Sequence, residues 1–332
     1  MIPERYQSIL SRLETAVAIQ KTKSHFQTSL EKALHLTPIT SPVIVREGSG
    51  FNDNLSGTER IVTFDALDVK GSCVEIVQSL AKWKRFALAQ YGFPVGEGLI
   101  TDMKAVRRDE SMDNLHSIYV DQWDWEKVIS ENMRNVETLK NEVEKIYSAL
   151  RSTEQYIHEL YPCLKPILPE QIYFITTQEL EDRYPALSAK EREYQIAKKH
   201  GAVFIMQIGG TLRSGRIHDD RSPDYDDWTL NGDIVLWYPV LNCAFEVSSM
   251  GIRVNDQALL DQLLISNNME RIGLEFHQAL LRGELPFTIG GGIGQSRLCM
   301  FLLKKAHIGE VQVSVWNERT VKECEEGNIP LL

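Results

Sequence analysis

Apolar residues recur at intervals of three or four in two long stretches, residues 4–35 and 129–150, and this period predicts amphipathic helices. The apolar positions are Ile9, Leu10, Leu13, Ile19, Phe26, Leu30 and Leu34 in the first stretch, and Ile129, Met133, Val136, Leu139, Val143, Ile146 and Leu150 in the second. Pro38 and Pro42 end the first pattern. Further helices are expected over residues 80–93, up to about residue 200, over 256–281, and after residue 294.

Runs rich in Val, Ile and aromatic residues lie between these helices and predict β-strands. The runs are PVIV, residues 60–65, CVEIVQS, GLITDMKAV, LHSIYVDQWDW, IYFIT, AVFIMQI, GDIVLWYP and CAFEVSSMGIRV. The two runs that flank the charged residues 108–114 indicate a long antiparallel hairpin. Strands in hairpins with helices around them predict an α+β fold with one antiparallel sheet. No repeat or linker divides residues 1–332, so we expect a single domain.

Composition and charge narrow the class of protein. The chain has 332 residues, of which 43% are hydrophobic and 25% charged, as in an ordinary globular protein. Its net charge of −10 argues against a general nucleic-acid binder, because no basic stripe offsets the repulsion from phosphates. The 5 cysteines are scattered without a CxxC pair, and no window of about 18 apolar residues predicts a membrane helix. We therefore expect a cytoplasmic protein with reduced thiols and no contact with membranes.

The stretch PFTIGGGIGQSRLCMFLL at residues 286–303 places three consecutive glycines, Gly294 and Arg297 before an apolar helix. Such glycines favour a tight strand-to-helix turn or a surface on which a planar ligand lies flat. The nucleotide motif GxxxxGK[ST] is absent, and Arg297 replaces the third glycine of GxGxxG. The pattern GxGxxR at the head of an apolar helix resembles motif 3 of the class II aminoacyl-tRNA synthetases.

Other segments extend this resemblance. A second motif, motif 2, is resembled by Arg107, a charged loop with His116, and the run at residues 120–126. The arginine of that motif binds the α-phosphate and the carboxylate that attacks it. Residues 34–45 resemble motif 1 loosely. Within the class, the run QSLAKWK at residues 78–84 resembles the aspartate-binding QSPQLFK of aspartyl-tRNA synthetases. QWD at residues 122–124 resembles their QxD, and GDIVLW with FEVSSMGIRV resembles their DLVLNG and EIGGGSIR strands.

The whole chain is similar to the ammonia-dependent asparagine synthetases, also called aspartate–ammonia ligases. The shared blocks run from one end to the other and include LSG, SLAKWKR, YVDQWDW, PDYDDW, FEVSSMGIRV and IGGGIGQSRL, and no anticodon-binding domain is recognisable. The resemblance implies a homodimeric enzyme that makes asparagine from aspartate, ATP and ammonia, releasing AMP and pyrophosphate through a β-aspartyl-adenylate. It implies Mg²⁺ as cofactor and no nucleic-acid partner.

The resemblance also implies the site residues. ATP is expected to contact Arg107, Leu115, Glu246, Gly292, Gly294 and Arg297. Aspartate is expected to contact Asp53, Ser79, Lys84, Gln122, Asp124, Ser249 and Arg253. Mg²⁺ is expected to bind Asp233 and Glu246, since this ion takes one or two carboxylates together with phosphate oxygens; the alternative is that both face solvent. Ammonium is expected at Asp226 or Asp227, which could instead simply cap a turn, as could Asp224.

The orientation of aspartate follows from a comparison of the two reactions. A tRNA synthetase activates the α-carboxylate, whereas this ligase must activate the β-carboxylate. If the adenylating residues stay in place, aspartate enters reversed, and Lys84 and Arg253 bind its α-carboxylate, with Asp124 bracing Lys84. Its α-amino group then lies toward Asp53, Ser79 and Gln122.

Two other hypotheses remain beside the ligase. One is an enzyme that adenylates aspartate and passes it to tRNA or another carrier. The acidic charge and the missing tRNA-binding domain weigh against it. The other is a regulatory paralogue without activity. It is disfavoured because the charged residues of the motifs, Arg107, Asp233, Glu246, Arg253 and Arg297, are all present.

Overall fold

The computed structural model describes residues 3, 6–52, 55 and 59–332. Its helices are α1 (Arg12–Leu34), α2 (Ala81–Tyr91), α3 (Val136–Leu160), α4 (Thr177–Arg183), α5 (Ala189–His200), α6 (Asp256–Ile265), α7 (Glu275–Leu281), α8 (Gln295–Leu302) and α9 (Glu318–Glu326). Its strands are β1 (Leu36–Pro38), β2 (Ile44–Arg46), β3 (Thr63–Ala66), β4 (Val69–Ile76), β5 (Gly98–Val106), β6 (Tyr119–Val128), β7 (Tyr173–Thr176), β8 (Ala202–Met206), β9 (Asp226–Tyr238), β10 (Cys243–Arg253) and β11 (Thr288–Gly294). Among these helices, none has the length and apolar character needed to cross a membrane.

A mostly antiparallel sheet of 8 strands in the order β1-β5-β6-β11-β10-β9-β8-β7 forms the centre of the fold. The β5–β6 hairpin predicted from the sequence is present, with Gly98 paired to Lys127 and Val106 to Tyr119. The glycine strand β11 lies between β6 and β10, with Gly291 opposite Trp125 on one side and Met250 on the other. The α+β class is confirmed, and the glycine stretch is a central strand.

Side chains alternate across β6 and divide the sheet into two faces. Trp123 and Trp125 belong to the main core, together with apolar residues of α1, α3 and α8 such as Phe26. Gln122 and Asp124, at the alternate positions, line a cavity on the opposite face. Helices α1, α3 and α8 therefore pack on one face of the sheet, and the cavity with its polar side chains lies on the other.

The structure differs from the sequence predictions about the fold in three respects. The expected helix over residues 256–281 is broken into α6, a 3₁₀ turn at Met269–Gly273 and α7, because Asn267 takes a left-handed conformation with φ 57°. The single antiparallel sheet is joined by a second one of 3 strands, in the order β2-β4-β3. The edge pairs β1–β5 and β7–β8 are parallel.

Candidate active site

A cavity of about 460 Å³ lies over β6, β10 and β11, on the face of the sheet that carries the polar side chains. The predicted site residues that line it are Ser79, Lys84, Arg107, Leu115, Gln122, Asp124, Asp226, Glu246, Ser249, Arg253, Gly292, Gly294 and Arg297. Asp227 and Asp233 are not part of its lining, and Asp53 lies outside the described residues. Residues from across the chain thus meet in one cavity, as the motifs predicted.

Lys84 is the most deeply buried cation of the cavity. It lies in the first turn of α2, is 0% exposed, and donates hydrogen bonds to Asp124 and, at 3.0 Å, to the carbonyl oxygen of Gly291. A carboxylate oxygen of Glu126 lies 3.9 Å from its ammonium nitrogen. Burial lowers the pKa of Lys84, and Asp124 opposes that shift. The predicted bracing of Lys84 by Asp124 is present.

Arg253, at the end of β10, is the second buried cation. Its Nε and Nη2 donate to Glu126 at distances of 2.9 and 2.6 Å, and its Nη1 donates to Asp226. Glu126 also accepts a hydrogen bond from Thr288 at 2.7 Å. Burial raises the pKa of Asp226, with Arg253 opposing and Glu126 adding to the shift. We call Lys84, Arg253, Asp124, Glu126 and Asp226 the buried clamp.

The glycines of β11 have a steric reason different from the one expected. None of residues 290–294 has a positive φ, so no turn requires them. A Cβ atom at Gly290 would lie 2.1 Å from Oε2 of Glu126, and one at Gly292 would lie 2.4 Å from Oε1 of Gln122. Real Cβ atoms do not approach other atoms so closely. At Gly290 and Gly292 the missing Cβ leaves space for the side chains of Glu126 and Gln122 from β6.

Two arginines line the outer part of the cavity. Arg107 follows β5, its backbone N–H donates to the carbonyl of Ile118 at 2.8 Å, and its buried Nε has no hydrogen-bond partner among the described residues. Arg297 lies in the first turn of α8 and donates to the carbonyl oxygen of Glu246 at 3.0 Å. Burial works against ionisation of Glu246, but Arg297 and Arg221 lower its pKa. We call Arg107, Arg297 and Glu246 the outer wall.

The two predicted metal ligands are on neighbouring strands, Asp233 on β9 and Glu246 on β10. Asp233 is 6% exposed and forms an ion pair with Arg221, while its other oxygen, Oδ1, has no hydrogen-bond partner in the described part of the chain. Burial raises the pKa of Asp233 to about 7, with Arg221 opposing and Glu246 adding to the shift. Within residues 3, 6–52, 55 and 59–332, no three His, Cys, Asp or Glu side chains cluster as a metal site. Two carboxylates, one with a free oxygen, fit an ion that arrives with phosphate ligands.

The aspartates of the PDYDDW segment face different surroundings. Asp226 lines the cavity, but the next residue, Asp227, points away and pairs with Arg134 at 2.8 Å, because successive strand residues face opposite sides. Asp224 is 0% exposed and pairs with Lys82 at 2.9 Å and His277 at 3.0 Å. Only Asp226 of these three lines the cavity.

Sequence reasoning missed Glu126 and Arg221. Glu126 continues the alternation of Gln122 and Asp124 along β6, so a period of two would have found it. Arg221 lies among five aspartates in HDDRSPDYDDW, and those aspartates drew the interpretation toward ammonium instead.

The chain was compared with known proteins. A family model described as aspartate-ammonia ligase matches residues 13–328. An aspartate–ammonia ligase of Clostridium perfringens is 59% identical over 331 residues, which are 100% of this chain and 98% of that protein. One of Bacillus cereus is 53% identical over 326 residues, 98% of this chain and 99% of that protein.

Solved structures of tRNA synthetases share the fold. An asparaginyl-tRNA synthetase of Entamoeba histolytica has a TM-score of 0.65 at 13% identity and covers 91% of this chain and 67% of that one. That of Pyrococcus horikoshii, complexed with asparaginyl-adenylate, has a TM-score of 0.65 at 16% identity, over 90% of this chain and 68% of that one. These similarities concern the fold alone. By the family match and the curated relatives, the chain belongs to the aspartate–ammonia ligase family.

Proposed function

We propose that this protein converts L-aspartate, ATP and ammonia to L-asparagine, AMP and pyrophosphate. The observation behind the proposal is a fully buried pair of cations, Lys84 and Arg253, in a cavity whose outer wall holds Arg107 and Arg297. A dicarboxylic amino acid with one carboxylate on the buried pair presents the other toward those two arginines. This arrangement suits activation of one carboxylate of aspartate.

The charges of the buried clamp support the reversed orientation of aspartate. The clamp holds two cations, Lys84 and Arg253, but three carboxylates, Asp124, Glu126 and Asp226. A lone side-chain carboxylate would add to this excess of negative charge. The α end of an amino acid brings an ammonium together with its carboxylate and so matches both signs. We therefore assign the α-carboxylate to Lys84 and Arg253, and the α-ammonium to Asp53, Ser79 and Gln122.

In the first step, an oxygen of the β-carboxylate attacks the α-phosphorus of ATP and the bond to the β-phosphate breaks, so pyrophosphate leaves. Arg107 and Arg297 stabilise the negative charge that develops on the phosphates. Leu115, Gly292 and Gly294 contact the nucleotide, and Ser249 contacts the aspartate. Asp233 and Glu246 would hold Mg²⁺, whose chemistry is to neutralise phosphate charge.

In the second step, the nitrogen of ammonia attacks the β-carbonyl carbon of the adenylate and AMP leaves. Ammonium must lose a proton before it can attack, and an acidic group in the cavity both attracts the cation and accepts the proton. We assign this role to Asp226 together with Asp53. Asp227 is not retained, because it faces Arg134.

The proposal includes a homodimer of single-domain subunits that acts in the cytoplasm without a nucleic-acid partner. One face of α1 supports self-association, since Leu13 is 75% exposed and Val17, one turn later, is 45% exposed. Apolar side chains exposed side by side can form part of a surface that another chain covers. Light scattering that gives 37.9 kDa, the mass of one chain, would contradict the dimer.

Release of AMP from ATP and aspartate tests the reaction. The proposal predicts that ammonium stimulates this release and that asparagine appears in equal amount. Stimulation by tRNA and not by ammonium would instead support the carrier-transferring alternative.

A further inference from the structure

Arg221 belongs to the segment between β8 and β9 and lines the cavity next to Glu246 and Arg297. Its Nη2 donates to Asp233 and its Nη1 donates to the carbonyl oxygen of Asp220 at 3.0 Å. Asp219 lies 3.9 Å from Nη1, beyond hydrogen-bond range. The guanidinium is thus a cavity-lining cation whose main partner is one buried carboxylate.

That carboxylate is one of the two proposed for Mg²⁺. Arg221 and Glu246 line the cavity, whereas Asp233 does not and is paired with Arg221. The positive charge beside Asp233 is therefore the guanidinium of Arg221. A divalent ion on the free oxygen of Asp233 would lie beside this guanidinium, and the repulsion between the two cations makes them compete for the carboxylate.

Arg221 has a second anionic partner available once ATP binds. The outer wall already directs Arg297 at the cavity, and a guanidinium forms paired hydrogen bonds to phosphate as readily as to a carboxylate. When a metal replaces Arg221 at Asp233, the phosphates bound to that metal are the anions closest to Arg221. In this exchange, Asp233 and Arg221 each keep a partner of opposite charge.

We propose that Arg221 is a phosphate-binding residue that exchanges Asp233 in the free protein for the β,γ-phosphates of ATP, which leave as pyrophosphate. The inference rests on the proposed function, because it assumes the adenylation step. Two consequences follow that a purely structural ion pair would not produce. Removing the guanidinium should strengthen metal binding without nucleotide, and it should weaken binding of pyrophosphate.

The test compares the full-length wild-type protein with Arg221→Met and Arg221→Lys. Mn²⁺ binding without nucleotide is followed by electron paramagnetic resonance, and binding of magnesium pyrophosphate and of aspartate by calorimetry. For Arg221→Met we expect Mn²⁺ affinity to rise several-fold and pyrophosphate affinity to fall about tenfold or more, the loss of a charged hydrogen bond. Aspartate affinity should stay within about twofold. For Arg221→Lys, the Mn²⁺ and pyrophosphate affinities should lie between those of the wild type and of Arg221→Met. Lysine keeps the positive charge but lacks the planar guanidinium that forms paired hydrogen bonds.

Unchanged pyrophosphate affinity in Arg221→Met, or unchanged or weaker Mn²⁺ binding, would overturn the inference. If Arg221→Met does not fold, Arg221→Lys decides, and wild-type pyrophosphate affinity in that variant would contradict the proposal. The double variant Arg221→Met with Asp233→Asn should lose the gain in Mn²⁺ affinity, and retention of the gain would also contradict it. Aspartate-dependent pyrophosphate exchange by the wild-type protein tests the proposed function separately.

Discussion

The buried clamp and the outer wall hold their cations in different ways. In the clamp, Lys84 and Arg253 each contact buried carboxylates, and Glu126 lies close to both. In the outer wall, Arg297 contacts mainly a backbone carbonyl, and Nε of Arg107 has no partner within the described residues. The cations of the clamp are thus paired with carboxylates of the protein itself, whereas the outer wall offers hydrogen-bond donors to an anion.

This difference matches two tasks. Recognition of the unreactive end of a substrate benefits from a fixed set of charges, because little freedom is then lost on binding. Stabilisation of a transition state requires donors that meet negative charge only as it develops. Substitution of the clamp cations Lys84 and Arg253 should therefore affect aspartate binding, and substitutions in the outer wall should affect the rate of adenylation.

The largest effect is expected in the clamp. Lys84→Met should lower aspartate affinity by about 2–5 kcal/mol, because Asp124 is left buried without its partner. ATP affinity should change much less. Calorimetry with each ligand measures both, and Lys104→Met is the matched control, since that lysine side chain is 55% exposed. If Lys84→Met binds aspartate as tightly as the wild type does, Lys84 does not bind the substrate.

Substitution in the outer wall should separate rate from binding. Arg107→Ala and Arg297→Ala should each slow aspartate-dependent exchange of pyrophosphate into ATP by about 10²–10³-fold or more, with the fold intact. The neighbouring Arg108 is exposed and does not line the cavity, so Arg108→Ala should exchange normally. Near-normal exchange by Arg107→Ala would defeat the assignment.

A change in β11 tests whether the clamp depends on its glycine neighbours. Gly290→Ala should lower the free energy of unfolding by about 1–3 kcal/mol and weaken aspartate binding, because the new Cβ displaces Glu126. Gly273→Ala serves as the control, since no atom lies within 4 Å of its added Cβ. Urea denaturation gives the free energy of unfolding of each variant, and calorimetry gives its aspartate affinity. Equal free energies of unfolding for the two variants would show that Glu126 shifts away from the new Cβ without destabilising the protein.

The smallest effect concerns ammonia. Asp226→Asn should raise the KM for ammonium several-fold and leave pyrophosphate exchange largely unchanged, since exchange requires no ammonia. Asp227→Asn is the matched control, because Asp227 faces Arg134 outside the cavity. If exchange and synthesis fall together in Asp226→Asn, this residue belongs to the aspartate site through Arg253.

The sequence was sufficient for the family and the fold, and both predictions are confirmed. The spacing of residues within short segments was enough to identify motif residues such as Lys84, Arg107 and Arg297. The β5–β6 hairpin and the glycine strand β11 then bring them to one cavity. Their individual roles stay predictions. The errors arose where the local conformation or contacts between distant residues determine the structure. Asn267 interrupts a helix although the apolar pattern continues past it, and the glycines of β11 make room for side chains of another strand.

Neighbours in space also explain the missed and misplaced site residues. Arg221 gains its significance from Asp233, which lies twelve positions away and meets it only in the folded protein. Asp226 and Asp227 are adjacent and chemically alike, but strand alternation sends them to opposite faces. A stricter use of the period of two would have separated them and would have added Glu126 to the site.

The central claim is that the β-carboxylate of aspartate is the group that is activated. Aspartate labelled with oxygen-18 in both β-carboxylate oxygens tests it directly, by mass spectrometry of the AMP released in the presence of ammonium. The account predicts that each AMP carries one labelled oxygen, because a β-carboxylate oxygen attacks the α-phosphorus and stays on the phosphate when ammonia displaces AMP. Unlabelled AMP from this substrate, or labelled AMP from aspartate that carries oxygen-18 only in its α-carboxylate, would contradict the account.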